Sequence, residues 1–234
     1  MKEFKARASK AQNLLSEPRA KKDKDAGVMS ATAKTYVIEQ WLSDTYEIKE
    51  QINTNAINKG LIQEDVSVAL LSFVDADFYL KNEVSKSDQY FTGTADIVTK
   101  DSIIDIKTSE TAKSFMSAEM TKLYEVQLQV YMHLYGLKKA ELVYCLVNAP
   151  EYQMARKNKS KYWDLMESSD EVNESEMDNF EKQTLLNMTF DRIDPKLRIK
   201  RFSIEFDQSV IDNLIKKVIN AREFYNGLSL NTKT

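Results

Sequence analysis

The sequence predicts an α/β domain in which a β-sheet is flanked by helices. Two patterns support this fold class: segments with apolar residues at helical spacing, and short runs of β-branched and aromatic residues bounded by turn residues. The chain has 234 residues, of which 42% are hydrophobic, enough for one substantial core. We therefore predict a single domain over residues 31–234, preceded by a basic, partly mobile arm at 1–30 and carrying a charged insertion at about 151–195.

The individual elements follow from the same patterns. Helical periodicity and capping residues predict helices at 30–48, about 50–72, 112–137, 171–189 and 209–228. Gly136 should end the third helix, because glycine is the usual residue just after a helix C-terminus. Enrichment in β-branched and aromatic residues predicts strands at 75–84, 89–99, 102–108, 140–150 and 200–206.

Composition excludes several kinds of site. Cys145 is the only cysteine, so the chain has no disulfide framework, no cysteine-based zinc site and no four-cysteine iron–sulfur cluster. No run approaches the roughly 20 apolar residues that a membrane span needs, and no apolar signal segment follows the charged residues 1–10. We expect a cytoplasmic protein that does not contact a membrane.

Charge is distributed unevenly along the chain. The formal net charge is −3, so any contact with nucleic acid depends on local basic patches. Such patches occur at 2–24, in ARKNKSKYW at 155–163 and in KLRIKRF at 196–202. The acidic segment 164–182 would repel a phosphate backbone. Taken singly, each of these runs is also typical of an ordinary solvated surface.

The stretch GTADIVTKDSIIDIKTS, which begins at Gly93, carries the strongest functional signal. If its two apolar runs form a hairpin centred on the Lys-Asp dipeptide, residues whose numbers sum to 201 lie opposite each other. Asp96 then faces Asp105, and directly opposed like charges destabilise a strand pair. Lys107 supplies one positive charge on the face of Asp105, because side chains alternate along a strand. Two converging carboxylates also offer the oxygen ligands that Mg²⁺ prefers.

Two helices supply further polar residues. Gly60 and Glu64 lie four residues apart and share one stripe of a helix. Glycine inside a helix costs about 1 kcal/mol relative to alanine, so Gly60 suggests that another backbone comes close, and Glu64 would point to the same neighbour. Gln127 and Tyr131, on the helix after the hairpin, are also four apart and can present an amide and a phenol to the charged face.

The order of these motifs resembles that of a known family. A glutamate on a helix, GTAD, DIK and then QLQVY are similar to the motifs of the PD-(D/E)XK nuclease superfamily, particularly its RecB-like and lambda-type phage exonuclease branches. The resemblance spans about residues 55–148 and implies a restriction-endonuclease-like core, with a central mixed β-sheet flanked by helices. Ala95 stands where the family motif has proline, a departure that leaves the acid after it intact.

The resemblance also implies a role for each motif residue. The catalytic residues would be Asp96, Asp105, Lys107 and Glu64. Mg²⁺, for which Mn²⁺ would substitute, would be held by Asp96, Asp105, the carbonyl of Ile106 and Glu64, the last directly or through water. Lys107 would orient the attacking water and stabilise charge on the phosphate. Substrate contacts would come from Gln127, Tyr131, Thr108, Ser109 and, in the opening segment of the chain, Arg19. No iron–sulfur cluster is implied, because the cysteines that bind one in some family members are missing.

The function implied by this resemblance is metal-dependent hydrolysis of DNA. We expect an exonuclease on linear double-stranded DNA in phage recombination or DNA processing, acting in the cytoplasm of a bacterial host if it is phage-encoded. Its partners would be DNA, a single-strand annealing or recombination protein, and further copies of the chain in a trimer.

Other interpretations remain open from the sequence. An Asp-x-Lys sequence on a strand is common, and Asp105 with Lys107 is compatible with a surface salt bridge. Gln127 and Tyr131 are compatible with ordinary helix packing, and Glu64 with a solvated helix end. The alternative functions are a structure-specific or CRISPR-type endonuclease and a catalytically inactive DNA-binding module.

Overall fold

Helices cover both faces of a β-sheet in the computed structural model, which describes residues 3–49, 54–168 and 173–230. The α-helices are α1 (Lys21–Asp25), α2 (Ala31–Tyr46), α3 (Asn55–Asp75), α4 (Ala112–Met116), α5 (Lys122–Tyr135), α6 (Glu151–Ser168), α7 (Glu174–Met188) and α8 (Gln208–Asn226). The strands are β1 (Ala6–Arg7), β2 (Lys86–Ser87), β3 (Phe91–Gly93), β4 (Ile97–Val98), β5 (Ser102–Thr108), β6 (Lys139–Cys145) and β7 (Ile199–Glu205). Two 3₁₀ helices span Ala8–Leu15 and Pro195–Arg198.

The strands form two mixed sheets. In the four-stranded sheet the order is β4-β5-β6-β7, with β5 parallel to β6 and the other two pairings antiparallel. The smaller sheet has the order β1-β3-β2, with β3 parallel to β1 and antiparallel to β2. The chain passes from β5 to β6 through α4 and α5, because parallel neighbours need a crossover connection. The predicted α/β fold with a mixed sheet between helices is confirmed.

Alternation along β5 divides the core between the two faces of the larger sheet. Ile104 and Ile106 join a cluster with Leu71 of α3. Ile103, on the opposite face, belongs to the larger cluster, to which the first 3₁₀ helix, α2, α5 and α8 contribute. Asp105 lies between Ile104 and Ile106 in sequence. It shares the sheet face of Ile103, on which α5 packs. The buried strand therefore carries a carboxylate to the boundary between sheet and helix.

The N-terminal residues belong to the core, which differs from the expectation of a partly mobile arm at 1–30. Five apolar side chains among the described residues of this segment are buried, at Phe4, Ala6, Ala8, Ala11 and Leu14. The backbone of β1 also pairs with β3. Alternating small apolar residues among charged ones gave too weak a pattern for the sequence reading to detect this packing. The basic residues of α1 are exposed, as expected for that part of the segment.

Three other predicted elements are wrong in detail. Residues 75–84 form no strand: α3 continues to Asp75 and ends at Ala76 in the left-handed conformation, with φ +51°. The strand predicted at 89–99 is two strands, β3 and β4, which belong to different sheets. The single helix predicted at 112–137 is two helices, α4 and α5, each started by a threonine cap, Thr111 and Thr121. Gly136 ends α5 with φ +72°, as predicted.

The charged insertion is a helical hairpin of α6 and α7. The sequence predicted a helix at 171–189, and α7 confirms it from residue 174, whereas residues 171–172, like 50–53 of another predicted helix, lie outside the described residues. Helix α6 was missed because Leu165 is its one buried side chain among those described, so no apolar stripe marks it. Among the helices that the structure describes, none is both long and apolar enough to cross a bilayer.

Candidate active site

The hairpin of β4 and β5 has the register predicted from the sequence. Ile97 lies opposite Ile104, and Val98 opposite Ile103. The turn is closed by Thr99, whose backbone N–H donates to the Ser102 carbonyl at 2.9 Å and whose Oγ1 accepts from the Ser102 N–H at 2.9 Å. These hydrogen bonds of Thr99 stabilise the turn, although Lys100-Asp101 is not a favoured two-residue turn sequence. This register places Asp96, the residue before β4, beside the middle of β5.

Asp96 and Asp105 consequently converge at the edge of β5. Asp96 Oδ2 accepts a hydrogen bond from the Ile106 N–H at 2.7 Å. Asp105 is 1% exposed, and its Oδ1 accepts from Gln127 Nε2 at 2.9 Å. Burial and the neighbouring Asp105 charge raise the pKa of Asp96 to about 7, although Lys107 and the Ile106 N–H oppose the shift. The two carboxyl groups therefore lie close enough for the charge of Asp105 to disfavour ionisation of Asp96.

Lys107 supplies the compensating positive charge. Its Nζ lies 2.5 Å from Asp105 Oδ2 and 5.3 Å from the centre of the Tyr124 ring. The side chain as a whole remains 26% exposed. Burial acts to lower the pKa of Lys107, but Asp105 and Asp96 outweigh it and raise that pKa above its ordinary value. Lys107 is a cation throughout the physiological pH range.

Helix α5 holds Asp105 in position through Gln127 and Tyr131. Gln127 Nε2, which donates to Asp105, also lies 3.2 Å from the Tyr131 hydroxyl, and both residues are buried. Burial and the nearby carboxylates raise the pKa of Tyr131, so it stays a neutral phenol. A Cβ atom at Gly93 would lie 2.8 Å from Tyr131 Cε1 and 2.9 Å from Ala8 Cβ. Gly93 is thus required for the close approach of α5, a role that the sequence reading had not assigned to the glycine of GTAD.

Glu64 lies near the carboxylate pair and is held by another residue. Its charge helps to raise the pKa of Asp96, and its Oε2 forms a 2.8 Å ion pair with Lys81 Nζ. Within the described residues, no three His, Cys, Asp or Glu side chains gather closely enough to ligate one metal ion. The role of Glu64 as a ligand stays a prediction. The expectation that another backbone lies close to Gly60 is wrong, because a Cβ atom there would meet nothing within 4 Å.

The structure does not bring the remaining predicted residues to the acids. Thr108 Oγ1 lies 2.8 Å from Ser67 Oγ of α3, on the sheet face opposite Lys107. Ser109 is buried, and its backbone N–H donates to the Cys145 carbonyl at 2.9 Å. Arg19 is exposed before α1 and forms no hydrogen bond or ion pair with the acids in the part of the chain described. Their proposed contacts with substrate remain predictions.

The oxygen atoms at this edge suit a hard divalent cation. Asp105 Oδ2 is buried and receives no hydrogen bond from any described residue, although Lys107 Nζ is close. The Ser109 N–H points to β6, so by alternation the N–H and C=O of Ile106 point to the other edge, toward Asp96. Two carboxylates and one carbonyl match a Mg²⁺ site, because this ion keeps several waters and takes further oxygens from a phosphate substrate.

A polar pocket next to Tyr131 was not foreseen from the sequence. Its polar lining residues include Arg7, Ser9, Thr92 and Thr94. Arginine and hydroxyl groups are common ligands of phosphate oxygens. The sequence reading chose Arg19 for such a role because nothing in the local pattern showed that β1 pairs with β3 and brings Arg7 here.

Comparisons with known proteins agree with this architecture. The chain has the fold of two solved exonucleases. A phage-related exonuclease from Haemophilus somnus 129PT superimposes with a TM-score of 0.74 at 22% identity, covering 96% of this chain and 95% of that one. An alkaline exonuclease, LHK-Exo from Laribacter hongkongensis, gives a TM-score of 0.60 at 15% identity, covering 95% and 88%, and has also been solved in complex with dAMP. No protein-family model and no curated protein sequence matches the chain.

Proposed function

We propose that this chain is a metal-dependent deoxyribonuclease, an exonuclease that degrades linear double-stranded DNA in phage recombination or DNA processing. The observation that carries the proposal is the convergence of Asp96 and Asp105 beside the ammonium group of Lys107. The fold shared with two exonuclease structures supports the same reaction class. At identities of 22% and 15% this likeness concerns the fold, so the reaction is argued from the site itself.

Each site residue has a physical role in this proposal. Asp96, Asp105 and the Ile106 carbonyl would hold Mg²⁺ or Mn²⁺, with Glu64 assisting directly or through water. When bound, such an ion supplies Lewis-acid polarisation of a phosphoryl oxygen and lowers the pKa of water. Lys107 orients the attacking water and stabilises negative charge that develops on the phosphate.

The helix residues and the neighbouring pocket serve the same reaction. Gln127 keeps Asp105 in one orientation by its hydrogen bond to Oδ1, and Tyr131 limits the space beside it. Arg7 and the pocket hydroxyls would bind backbone phosphate of the DNA.

The reaction class is tested by offering the purified protein linear, closed-circular and single-stranded DNA, with Mg²⁺ or with EDTA. We expect Mg²⁺-dependent loss of linear duplex while closed circles stay intact. Cutting of closed circles would instead identify a structure-specific or CRISPR-type endonuclease. Binding without cleavage in every metal condition would identify an inactive DNA-binding module.

Substitutions in one hairpin provide matched controls for the assigned roles. Asp105→Asn and Lys107→Ala should each lower the cleavage rate at least about a hundredfold, because each removes preorganised charge at the reacting phosphate. Lys100→Ala and Asp101→Asn change the same charges in the exposed turn and should leave the rate within about twofold. Full activity of the Asp105 variant would contradict the assignment. A trimer, an annealing-protein partner and a phage-infected bacterial cytoplasm are further parts of the proposal.

A further inference from the structure

Helix α6 presents one exposed face on which two aromatic side chains flank two basic ones. This face, the α6 stripe, has the helical spacing i, i+4, i+7, i+11 and i+14, and consists of Tyr152, Arg156, Lys159, Trp163 and Met166. The exposed fractions are 45% for Tyr152, 54% for Trp163 and 39% for Met166. Large aromatic groups so exposed are costly to leave in water and indicate a binding surface.

The hairpin that carries the α6 stripe is anchored at the catalytic end of the larger sheet. Cys145, the last residue of β6, lies opposite Thr108, which directly follows Lys107. Two hydrogen bonds then close the base of the hairpin: the Ala149 N–H donates to the Met188 carbonyl at 2.8 Å, and the Phe190 N–H to Asn148 Oδ1 at 2.6 Å. The hairpin therefore follows the end of β6 that is paired with Thr108.

Most basic residues of the hairpin lie on α6 between Arg156 and Lys161, whereas its acids lie mainly in the last turns of α6 and on α7. Lys161 forms a 2.7 Å ion pair with Glu176 of α7, and Lys157 and Lys161 both lie over the Phe180 ring, at 6.0 and 5.9 Å. Lys159, two residues from each, is on a different face, the α6 stripe. The acids of α7 would repel phosphate, so a nucleic acid that meets this hairpin is favoured on α6.

We propose that the α6 stripe binds single-stranded DNA, the strand left unpaired when the other strand of a duplex is digested. This inference rests on the proposed function, since digestion of one strand of a duplex supplies that ligand. Unpaired bases stack on exposed aromatic rings, whereas bases inside a duplex do not offer their faces. Arg156 and Lys159 lie between Tyr152 and Trp163, where they would meet the backbone phosphates. The rise of a helix separates the two rings by about 16 Å, room for a few nucleotides.

Binding is measured without cleavage, as fluorescence anisotropy of a labelled 20-nucleotide oligothymidine in EDTA. The double variant Lys159→Ala/Trp163→Ala should weaken binding at least about tenfold, because each stacked base is worth about 1–3 kcal/mol. The dependence of log Kd on log salt should also fall by about 0.7 for the lost lysine. The matched control is Phe73→Ala/Lys216→Ala, which removes an exposed aromatic and an exposed lysine elsewhere and should bind like wild type.

The remaining outcomes separate this inference from its competitors. Unchanged oligothymidine binding by the α6 variant, or an equal loss with a blunt 20-base-pair duplex, would overturn the single-strand assignment. Loss of binding to anionic lipid vesicles with no effect on DNA would assign the α6 stripe to a membrane surface instead. The binding assay contains no metal and does not depend on cleavage. If the wild-type protein bound oligothymidine through the α6 stripe but never cleaved DNA, the proposed nuclease function would be refuted and this inference would not.

Discussion

At the scale of single residues, Asp105 occupies a setting that a carboxylate tolerates only with compensating partners. It is 1% exposed and close to a second acid, Asp96. A buried charge costs several kcal/mol unless it is paired and hydrogen-bonded. Lys107 supplies the pairing and Gln127 the hydrogen bond. An arrangement that costs free energy of folding in this way is typical of functional sites, where a charged group is positioned to bind a ligand.

Gln127 should therefore be needed both for stability and for cleavage. Gln127→Leu leaves Asp105 Oδ1 without its hydrogen bond, so we expect the free energy of unfolding to fall by about 1–3 kcal/mol. Freed from this bond, Asp105 would leave its productive orientation, and the cleavage rate should fall about tenfold or more. Urea denaturation and a linear-duplex assay measure the two effects.

Tyr131→Phe is the control for this prediction. It removes the hydroxyl beside Gln127 Nε2 but leaves the bond from Gln127 to Asp105 possible. We expect a smaller loss of rate than for Gln127→Leu. A Gln127→Leu protein as active and as stable as wild type would show that Asp105 is oriented by something else.

Some residue-scale features were predictable and others were not. The pairing of Asp96 with Asp105 followed from the two-residue period of a strand and from the centre of the turn, and both are local properties. The sequence could not predict the contacts of Lys81, Arg7 and Ser67, because each meets its partner across a large separation in sequence. The contact of Thr108 with Ser67 was equally hidden, since only the packing of α3 shows which group Thr108 meets.

At the scale of elements, Gly93 in a strand and Gly60 in a helix have opposite roles. A Cβ atom at Gly93 would press on Tyr131 of α5 and on Ala8, whereas at Gly60 of α3 it would meet nothing within 4 Å. We expect Gly93→Ala to destabilise the protein by about 1–3 kcal/mol and to lower activity, since α5 must shift. Gly60→Ala should stabilise it by up to about 1 kcal/mol, because alanine is the better helix former.

Thermal and urea unfolding of the two variants test this contrast. Each serves as the control for the other, because both add one methyl group to a glycine. If Gly93→Ala were as stable and active as wild type, the close contact between β3 and α5 would be refuted. Destabilisation by Gly60→Ala would restore the sequence-based expectation of a close neighbour.

Lys59 of α3 contacts Glu110 and Phe190, and its burial makes the free energy of unfolding depend on pH. Its side chain on α3 is fully buried, its Nζ lies 3.2 Å from the Glu110 carbonyl, and it lies 5.4 Å from the centre of the Phe190 ring. Burial lowers the pKa of Lys59 to about 8, although Glu110 opposes the shift. Because the unfolded chain keeps the ordinary pKa of about 10.5, it binds more protons between these values, and stability should rise with pH across that window.

Lys59→Met should abolish this rise. Between pH 8 and 10 the wild-type protein should gain on the order of 2 kcal/mol relative to the variant, and below pH 8 their difference should stay constant. Urea denaturation across the pH series measures it, with the exposed Lys113→Met as control. Parallel curves for wild type and Lys59→Met would mean that Lys59 is not buried as described.

At the scale of the whole molecule, the order of elements was more predictable than their packing. Helix and strand periods along the chain indicated an α/β fold and the correct hairpin, because these signals are local. The inclusion of residues 4–14 in the core depends on β1 pairing with β3 across more than 80 residues. The α6–α7 hairpin was incompletely predicted because a helix that packs mainly on one other helix needs few apolar residues.

The net charge of −3 also has a consequence at this scale. Under the proposed function, DNA would be held by local groups around the site rather than by the field of the whole protein. A bound cation between Asp96 and Asp105 would change the local charge most, in the direction that favours phosphate.

The most direct test of this account is the anomalous scattering of Mn²⁺ in a crystal soaked with that ion. We predict a peak between Asp96 and Asp105, within coordination distance of a carboxylate oxygen of each and of the Ile106 carbonyl, and no such peak in Asp105→Asn. A map without density there, or with the ion bound elsewhere while these carboxylates stay apart, would contradict the account.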